Sequence, residues 1–120
     1  MARILLIEDS PTDRAVFAQW LHKAGHEVLQ ADNAEDGLQI VREQSPQLVL
    51  MDVVLPGMSG FQATRALARD EATKHIPVLI VSTKDMETDK AWGLRQGAMG
   101  YIVKPPREDE LIARINELVN

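Results

Sequence analysis

The 120-residue chain predicts a single α/β domain, a five-stranded parallel sheet with helices on both faces. Two observations predict it. Short apolar, β-branched runs alternate with longer segments of helical period over the whole length, and the runs are continuously apolar, which marks strands buried on both faces. Strict strand–helix alternation then requires right-handed crossovers, which place helices above and below the sheet.

Each element has its own signal. ILLI at 4–7 is the first strand. SPTD follows, where Ser10 caps a helix, Pro11 fits its first position and Asp13 closes a capping box. Phe17, Trp20, Leu21 and Ala24 recur at helical spacing before Gly25 ends that helix. HEVLQA at 26–31 is a weaker, more polar second strand. Asn33–Glu43 is helical, with Ala34, Gly37, Leu38 and Val41 inward. LVLM at 48–51 is the third strand, broken at Pro56-Gly57. After Ser59, the residues Phe61, Thr64, Leu67 and Ala68 form the inner face of a third helix. VLIV at 78–81 is the fourth strand. The fourth helix, Asp85–Gln96, is the most polar; Trp92 and Leu94 are among its few large apolar residues, Trp92 is expected to be partly buried, and Gly97 stops it. YIV at 101–103 and a last helix carrying Leu111, Ile112, Ile115, Leu118 and Val119 complete five β-α units. Five units suit the flavodoxin-like strand order 2-1-3-4-5, in which ligands bind beyond the carboxyl ends of the strands, between strands 1 and 3. With no linker or low-complexity tract, one domain over 1–120 is expected.

Composition narrows the function. A net charge of −5 and no basic run argue against a nucleic-acid surface. No stretch reaches the roughly 18 apolar residues of a membrane span, and the N-terminus turns acidic too early for a signal peptide, so the cytoplasm is the expected compartment. The absence of cysteine removes disulfides and thiolate metal sites. His22, His26 and His75 have no metal-ligand spacing and are expected at the surface.

The strand ends carry the chemistry. Strand 1 ends in Glu8-Asp9, strand 3 in Asp52, strand 4 in Ser82-Thr83 and strand 5 in Lys104. A lone carboxylate at the end of a buried strand needs a partner or a task. Strands 1 and 3 are neighbours in this order, so three carboxylates meet at the crevice. Two like charges about 4 Å apart repel by about 4 kcal/mol at an effective dielectric near 20, so a cation must answer them. Oxygen ligands without His or Cys favour a hard divalent ion, and few protein ligands suit Mg²⁺. A carboxylate beside Mg²⁺, a lysine and a hydroxyl can accept a phosphoryl group: Asp52 would attack phosphorus, while Lys104 and Ser82 meet its oxygens. Each residue also has a plainer role. Asp9 could cap the first helix, Asp52 could make an Asx turn, Ser82 could cap the fourth helix, Lys104 could be solvated and Tyr101 could be core. Their coincidence at one sheet edge favours the chemical reading.

With LLIEDS at 5–10, LVLMDVVLPGMSG at 48–60, PVLIVST at 77–83 and GYIVKPP at 100–106, nearly the whole chain resembles the CheY-like receiver domains of two-component response regulators. The resemblance implies that Asp52 accepts a phosphoryl group from the phosphohistidine of a CheA-like sensor histidine kinase. It implies that Asp9, Asp52 and the backbone carbonyl of Val54 bind Mg²⁺, with Glu8 acting through water. Ser82 and Tyr101 would form the coupled switch, Lys104 would contact the phosphoryl group, and the Lys104-Pro105 peptide would be cis. Such a protein catalyses only its own phosphorylation and dephosphorylation. Its output would leave by the face of the fourth helix, fifth strand and fifth helix, from a monomer, to a downstream protein. More narrowly, residues 82–98 and 60–70 are similar to stand-alone PilH-type receivers of the chemotaxis-like pathway that controls type IV pili and twitching motility. Departures are Glu8 where Asp is commoner, Val54 beside the metal, Thr83 and Lys84 at the lip, and Pro106, which could shift the start of the last helix.

Three alternatives stay open from sequence. One is a phosphate sink for a shared kinase. Another is an aspartyl-nucleophile phosphatase, which needs a second acid two residues after the first, where this chain has Val54. The third is a flavin protein, against which the acids of EDSPTD count.

Overall fold

The computed structural model describes residues 1–119. Five strands, β1 (Arg3–Ile7), β2 (Glu27–Ala31), β3 (Leu48–Met51), β4 (Val78–Ser82) and β5 (Gly100–Val103), alternate with α1 (Pro11–Lys23), α2 (Ala34–Gln44), α3 (Gly60–Arg69), α4 (Glu87–Arg95) and α5 (Glu108–Val119). All pairings are parallel and the order is β2-β1-β3-β4-β5, as the alternation predicts.

The continuous apolar strands are explained by two cores. Leu5, Ile7, Val49, Met51, Val78 and Ile80 pack one face of the sheet against Leu38, Val41, Ala63 and Leu67. Ile4, Leu6, Leu48, Leu50, Leu79, Val81 and Ile102 pack the other against Phe17, Leu21, Leu111 and Ile115. Period-2 alternation sorts the buried apolar strand residues between the two cores, and that alternation later sorts the site.

Helix starts follow local chemistry. Asn33 caps α2 by accepting the Asp36 N–H at 2.8 Å. Ser59 and Gln62 close a reciprocal box on α3, at 3.2 and 3.0 Å. On α1, Ser10 Oγ accepts the Asp13 N–H at 3.2 Å, but the expected return bond does not form. Glu8 Oε2 takes the Ser10 N–H at 3.1 Å instead, leaving the Asp13 carboxylate for another partner. α5 begins at Glu108, two residues beyond Pro106.

Three further expectations are corrected. The inner face of α3 is Gly60, Ala63, Thr64 and Leu67, with Phe61 half-buried and Ala68 exposed. α4 begins two residues later than expected, at Glu87, and Gly93 is its one buried residue, so Trp92 stays 45% exposed rather than folding onto the sheet. His26 is buried rather than superficial. Its Nδ1 accepts the Ala2 N–H at 3.1 Å and its Nε2 lies 3.1 Å from Asn116 Oδ1, which ties the chain start to α5. The acceptor role of Nδ1 puts the proton on Nε2. His26→Ala therefore strands a buried N–H and is expected to cost about 1–3 kcal/mol in urea unfolding; an unchanged midpoint would contradict that role.

Candidate functional site

Backbone register delivers the strand ends to one edge. The Glu8 N–H donates to Ala31 O at 3.0 Å, the Asp52 N–H to Ile7 O at 3.1 Å and the Lys104 N–H to Ser82 O at 2.9 Å, so each residue continues its ladder by one step. By alternation Glu8 follows Ile4 and Leu6, Asp52 follows Leu48 and Leu50, and Lys104 follows Ile102. All three are thereby aimed toward the core shared with α1 and α5.

There they meet. Lys104 Nζ lies 2.6 Å from Glu8 Oε1, 3.0 Å from Asp52 Oδ2 and 2.8 Å from Asp13 Oδ2. The Lys104 side chain is 8% exposed, Glu8 2% and Asp52 7%, whereas Asp13 is 39% exposed. The ammonium also stands 5.8 Å from the centre of the Phe17 ring, a further favourable cation contact. Burial pushes the Glu8 carboxyl above its ordinary range, against the opposing pull of Lys104. For Lys104 burial acts downward, yet the hydrogen bonds to Asp13, Glu8 and Asp52 outweigh it and hold the ammonium above its usual value. The lysine is thus a firm cation serving three carboxylates.

Asp52 is oriented by both oxygens. Oδ2 faces Lys104, and Oδ1 accepts the Val54 N–H at 3.2 Å, the Asx turn available to any Asp before such a loop. α3 presses close beneath this loop. A Cβ at Gly60 would fall inside the van der Waals shell of the Asp52 backbone oxygen, and no flexible side chain is there to yield. Gly60→Ala is therefore expected to cost about 1–3 kcal/mol and to displace the Asp52 loop, read by thermal unfolding and by phosphodonor labelling together. A mutant matching the parent in both would contradict this packing.

Ser82 and Tyr101 fall on the opposite side. Ser82 shares the register of Val78 and Ile80, and Tyr101 pairs with Ile80 and packs on that same core. Ser82 is buried, and its Oγ accepts the Lys84 N–H at 3.3 Å. It does not cap α4, which starts five residues later. The Tyr101 hydroxyl donates to Lys84 O at 2.7 Å, so the ring is held toward the rim. Burial first, then the charge of Asp89, raises the Tyr101 phenol. The Lys104-Pro105 peptide is cis.

The expected trio of acids differs in one member. Glu8 and Asp52 converge, but Asp9 is exposed and no hydrogen bond among the described residues involves its side chain. Asp13 joins the cluster in its place. Asp13 was legible only as a capping residue, though its short side chain closes such a box less well than Glu or Gln, and Glu8 competes for the same N–H. Among the described residues no three His, Cys, Asp or Glu side chains form a ready metal cage. The carboxylates are instead organised around an ammonium. None of the helices among the described residues is long and apolar enough to cross a membrane.

Comparisons with known proteins agree with this fold. The response regulator receiver domain family matches residues 4–116. The chain is 52% identical over 119 residues to Protein PilH of Pseudomonas aeruginosa, covering 99% of this chain and 98% of that protein. It spans about half the length of the transcriptional regulators it matches at 35–38% identity. Among solved structures, a putative response regulator from Chloroflexus aurantiacus superposes with a TM-score of 0.95 at 28% identity, over 98% of this chain and 97% of that one. The receiver domain of the Pseudomonas aeruginosa sensor histidine kinase PA1611, described with a magnesium ion coordinated in its active-site cleft, gives 0.91 at 25% identity, over 98% and 97%. With its strand order, its buried acid–lysine cluster and a family match over nearly all its length, the chain belongs to the response regulator receiver domains of two-component signalling.

Proposed function

We propose that this protein, as a single domain over residues 1–120, accepts a phosphoryl group on Asp52 from a CheA-like histidine kinase and signals through a protein surface. The observation that carries the reading is the buried contact of Asp52 with Lys104 at the carboxyl edge of β3 and β5. An Asx turn and an ammonium fix the two carboxylate oxygens, which lowers the entropic cost of an in-line attack. Asp52 Oδ would bond to phosphorus as the bond from phosphorus to the donor imidazole nitrogen breaks, leaving an acyl phosphate and free imidazole. Lys104 would turn from Asp13 and Glu8 to the new phosphoryl oxygens, and Ser82 would meet another.

The all-oxygen donor set fits a hard divalent ion. Asp9, Asp52 and the Val54 carbonyl would hold Mg²⁺, with Glu8 through water, once Glu8 is released from Lys104. When bound, the ion neutralises phosphoryl charge. Exposed Asp9, without a protein partner among the described residues, and the PA1611 receiver's magnesium support this assignment.

Tyr101, seated at the rim, would follow Ser82 inward and reshape α4, so the α4–β5–α5 face would carry the signal from a cytoplasmic monomer. The likeness to PilH, with the similarity of residues 60–70 and 82–98 to PilH-type receivers, supports an output in the control of type IV pili and twitching motility.

The test is labelling with acetyl phosphate and with purified histidine kinases, with and without Mg²⁺. A base-labile label that needs Mg²⁺ is expected. A base-stable label, or none from any donor, would contradict the proposal.

A further inference from the structure

The chain is acidic on balance, with 18 acids against 13 lysines and arginines, which makes one local exception informative. A groove of about 340 Å³ runs between α3 and the end of α4, with Arg65, Ala68 and Arg69 on one wall and Trp92, Arg95 and Gly97 on the other. No acid lines it. Arg3, Arg14, Arg107 and Arg114 all donate side-chain hydrogen bonds within the protein. Among the described residues the arginines that donate none are Arg42, Arg65, Arg69 and Arg95, and all but Arg42 line this groove. The acids flanking the walls make other contacts: Asp70 accepts the Ala72 N–H at 2.9 Å, Asp89 accepts the Met86 N–H at 3.2 Å, and Glu71 pairs with Lys74 at 2.8 Å.

The plain explanation covers part of this. Arg69 and Arg95 sit in the last turns of their helices, where a cation favours the helix dipole. That does not account for Arg65 in the middle of α3, nor for a tryptophan left 45% exposed beside three unpartnered guanidinium groups. The floor is closed. A Cβ at Gly97, whose φ is +115°, would lie 2.7 Å from Ala68 Cβ, so α3 already touches the turn after α4 there and the rim is what remains to be covered.

We propose that the α3–α4 groove docks a short acidic segment of a partner protein. Carboxylates on the segment would engage Arg65 and Arg69, one helical turn apart, and Arg95 opposite them, while an apolar side chain covers Trp92. Arginine and tryptophan are the residues that most often anchor interfaces, and guanidinium binds carboxylate with two parallel hydrogen bonds. Charge complementarity chooses the occupant. Nucleic acid and anionic bilayers are extended polyanions that would also face the rest of a chain whose net charge is −5, whereas a short segment meets the groove alone. The surface differs from the α4–β5–α5 face because α3 supplies two of its three arginines. α4 also seats on Tyr101 through Gly93, where a Cβ would come 3.0 Å from the ring. On the functional reading above, a turn of Tyr101 would therefore shift one wall of the groove, though docking itself does not depend on that reading.

Random short peptides displayed on phage, selected against the intact protein with Arg65→Glu/Arg69→Glu as counter-target, test this. The best peptide is then titrated by fluorescence anisotropy and mapped by amide chemical shifts. Net-negative peptides with an apolar residue are expected, binding the double variant at least about tenfold more weakly and Trp92→Ala severalfold more weakly, with shifts at 65–69 and 92–97. Neutral or basic peptides, equal binding by the double variant, or shifts confined to other faces would overturn the proposal. So would tighter binding of a DNA duplex or phosphatidylglycerol vesicles at these arginines, which would reassign the groove to a polyanion. Acetyl phosphate labelling of the double variant should match the parent, since neither arginine touches Asp52, while its melting temperature should fall slightly because Glu at 69 opposes the dipole in the last turn of α3. Loss of labelling in parent and variant alike, with peptide binding intact, would remove the phosphoacceptor reading and uphold the docking site.

Discussion

Asp52→Asn should lose the base-labile phosphoryl label by at least about a hundredfold while remaining at least as stable as the parent. The two halves of that result come from different physics. The amide cannot act as the nucleophile that forms an acyl phosphate. The fold, however, does not need the charge. Lys104 is shared by Glu8, Asp13 and Asp52, so one cation faces three acids within 3.0 Å of its Nζ. Neutralising one acid removes repulsion from the other two, whereas Lys104 keeps both remaining partners. An amide at 52 can still accept the Val54 N–H that now fixes Asp52 Oδ1. Labelling by acetyl phosphate and urea unfolding, run on the same sample, check the pair. A mutant that unfolds markedly earlier would make Asp52 structural, and one that still labels would move the acceptor elsewhere.

Lys104→Ala should do the reverse to the fold. Removing the shared cation leaves Glu8 and Asp52, both nearly sealed from water, without a counter-charge. Breaking such a buried pair from one side costs about 3–5 kcal/mol, and the exposed Asp13 adds little to that. The pH dependence follows from the sign of each shift. Glu8 is raised above its ordinary 4.5, chiefly by burial, so its neutral form favours the fold below that pH and this advantage is lost as pH rises through the folded value. Without Lys104, which now pulls Glu8 down, the folded value rises further. The deficit of the mutant should therefore be smallest near pH 4 and fully developed at neutrality. In the parent, the raised Lys104 contributes stability that is complete below about 10.5, its ordinary value, and is lost at more alkaline pH. Millimolar Mg²⁺ should restore part of the mutant's stability, because it supplies a cation to the same acids. A pH-independent deficit, or Mg²⁺ that stabilises parent and mutant equally, would show that the ammonium does not hold this cluster together.

The fold was legible because burial on both faces writes itself into a parallel sheet. LVLM at 48–51 and VLIV at 78–81 have no polar side to confuse with a helix, and both are fully buried strands. Asp52 was legible for the same reason, as the first charged residue after such a run, and Lys104 as the first after the partly buried edge strand β5. What the sequence left open is tertiary choice between equivalent local partners. Glu8 and Asp13 could each complete the cap of α1; that Glu8 did so, freeing Asp13 for Lys104, depends on β5 arriving 91 residues later. His26 looked like a surface histidine because its partners, Ala2 and Asn116, lie at the two ends of the chain. Trp92 was expected against the sheet, but Gly93 makes the close approach there and turns the larger neighbour outward.

On the function proposed, the carboxylate that follows β3, oriented by the lysine that follows β5, takes the phosphoryl group. Borohydride converts an aspartyl phosphate to homoserine, so reduction of the acetyl phosphate-treated protein followed by peptide mass spectrometry reads the acceptor directly. Homoserine at position 52, absent when the phosphodonor is omitted, is the predicted result. Homoserine at position 9 or 13, or the parent aspartate unchanged at all of these positions after full labelling, would contradict it.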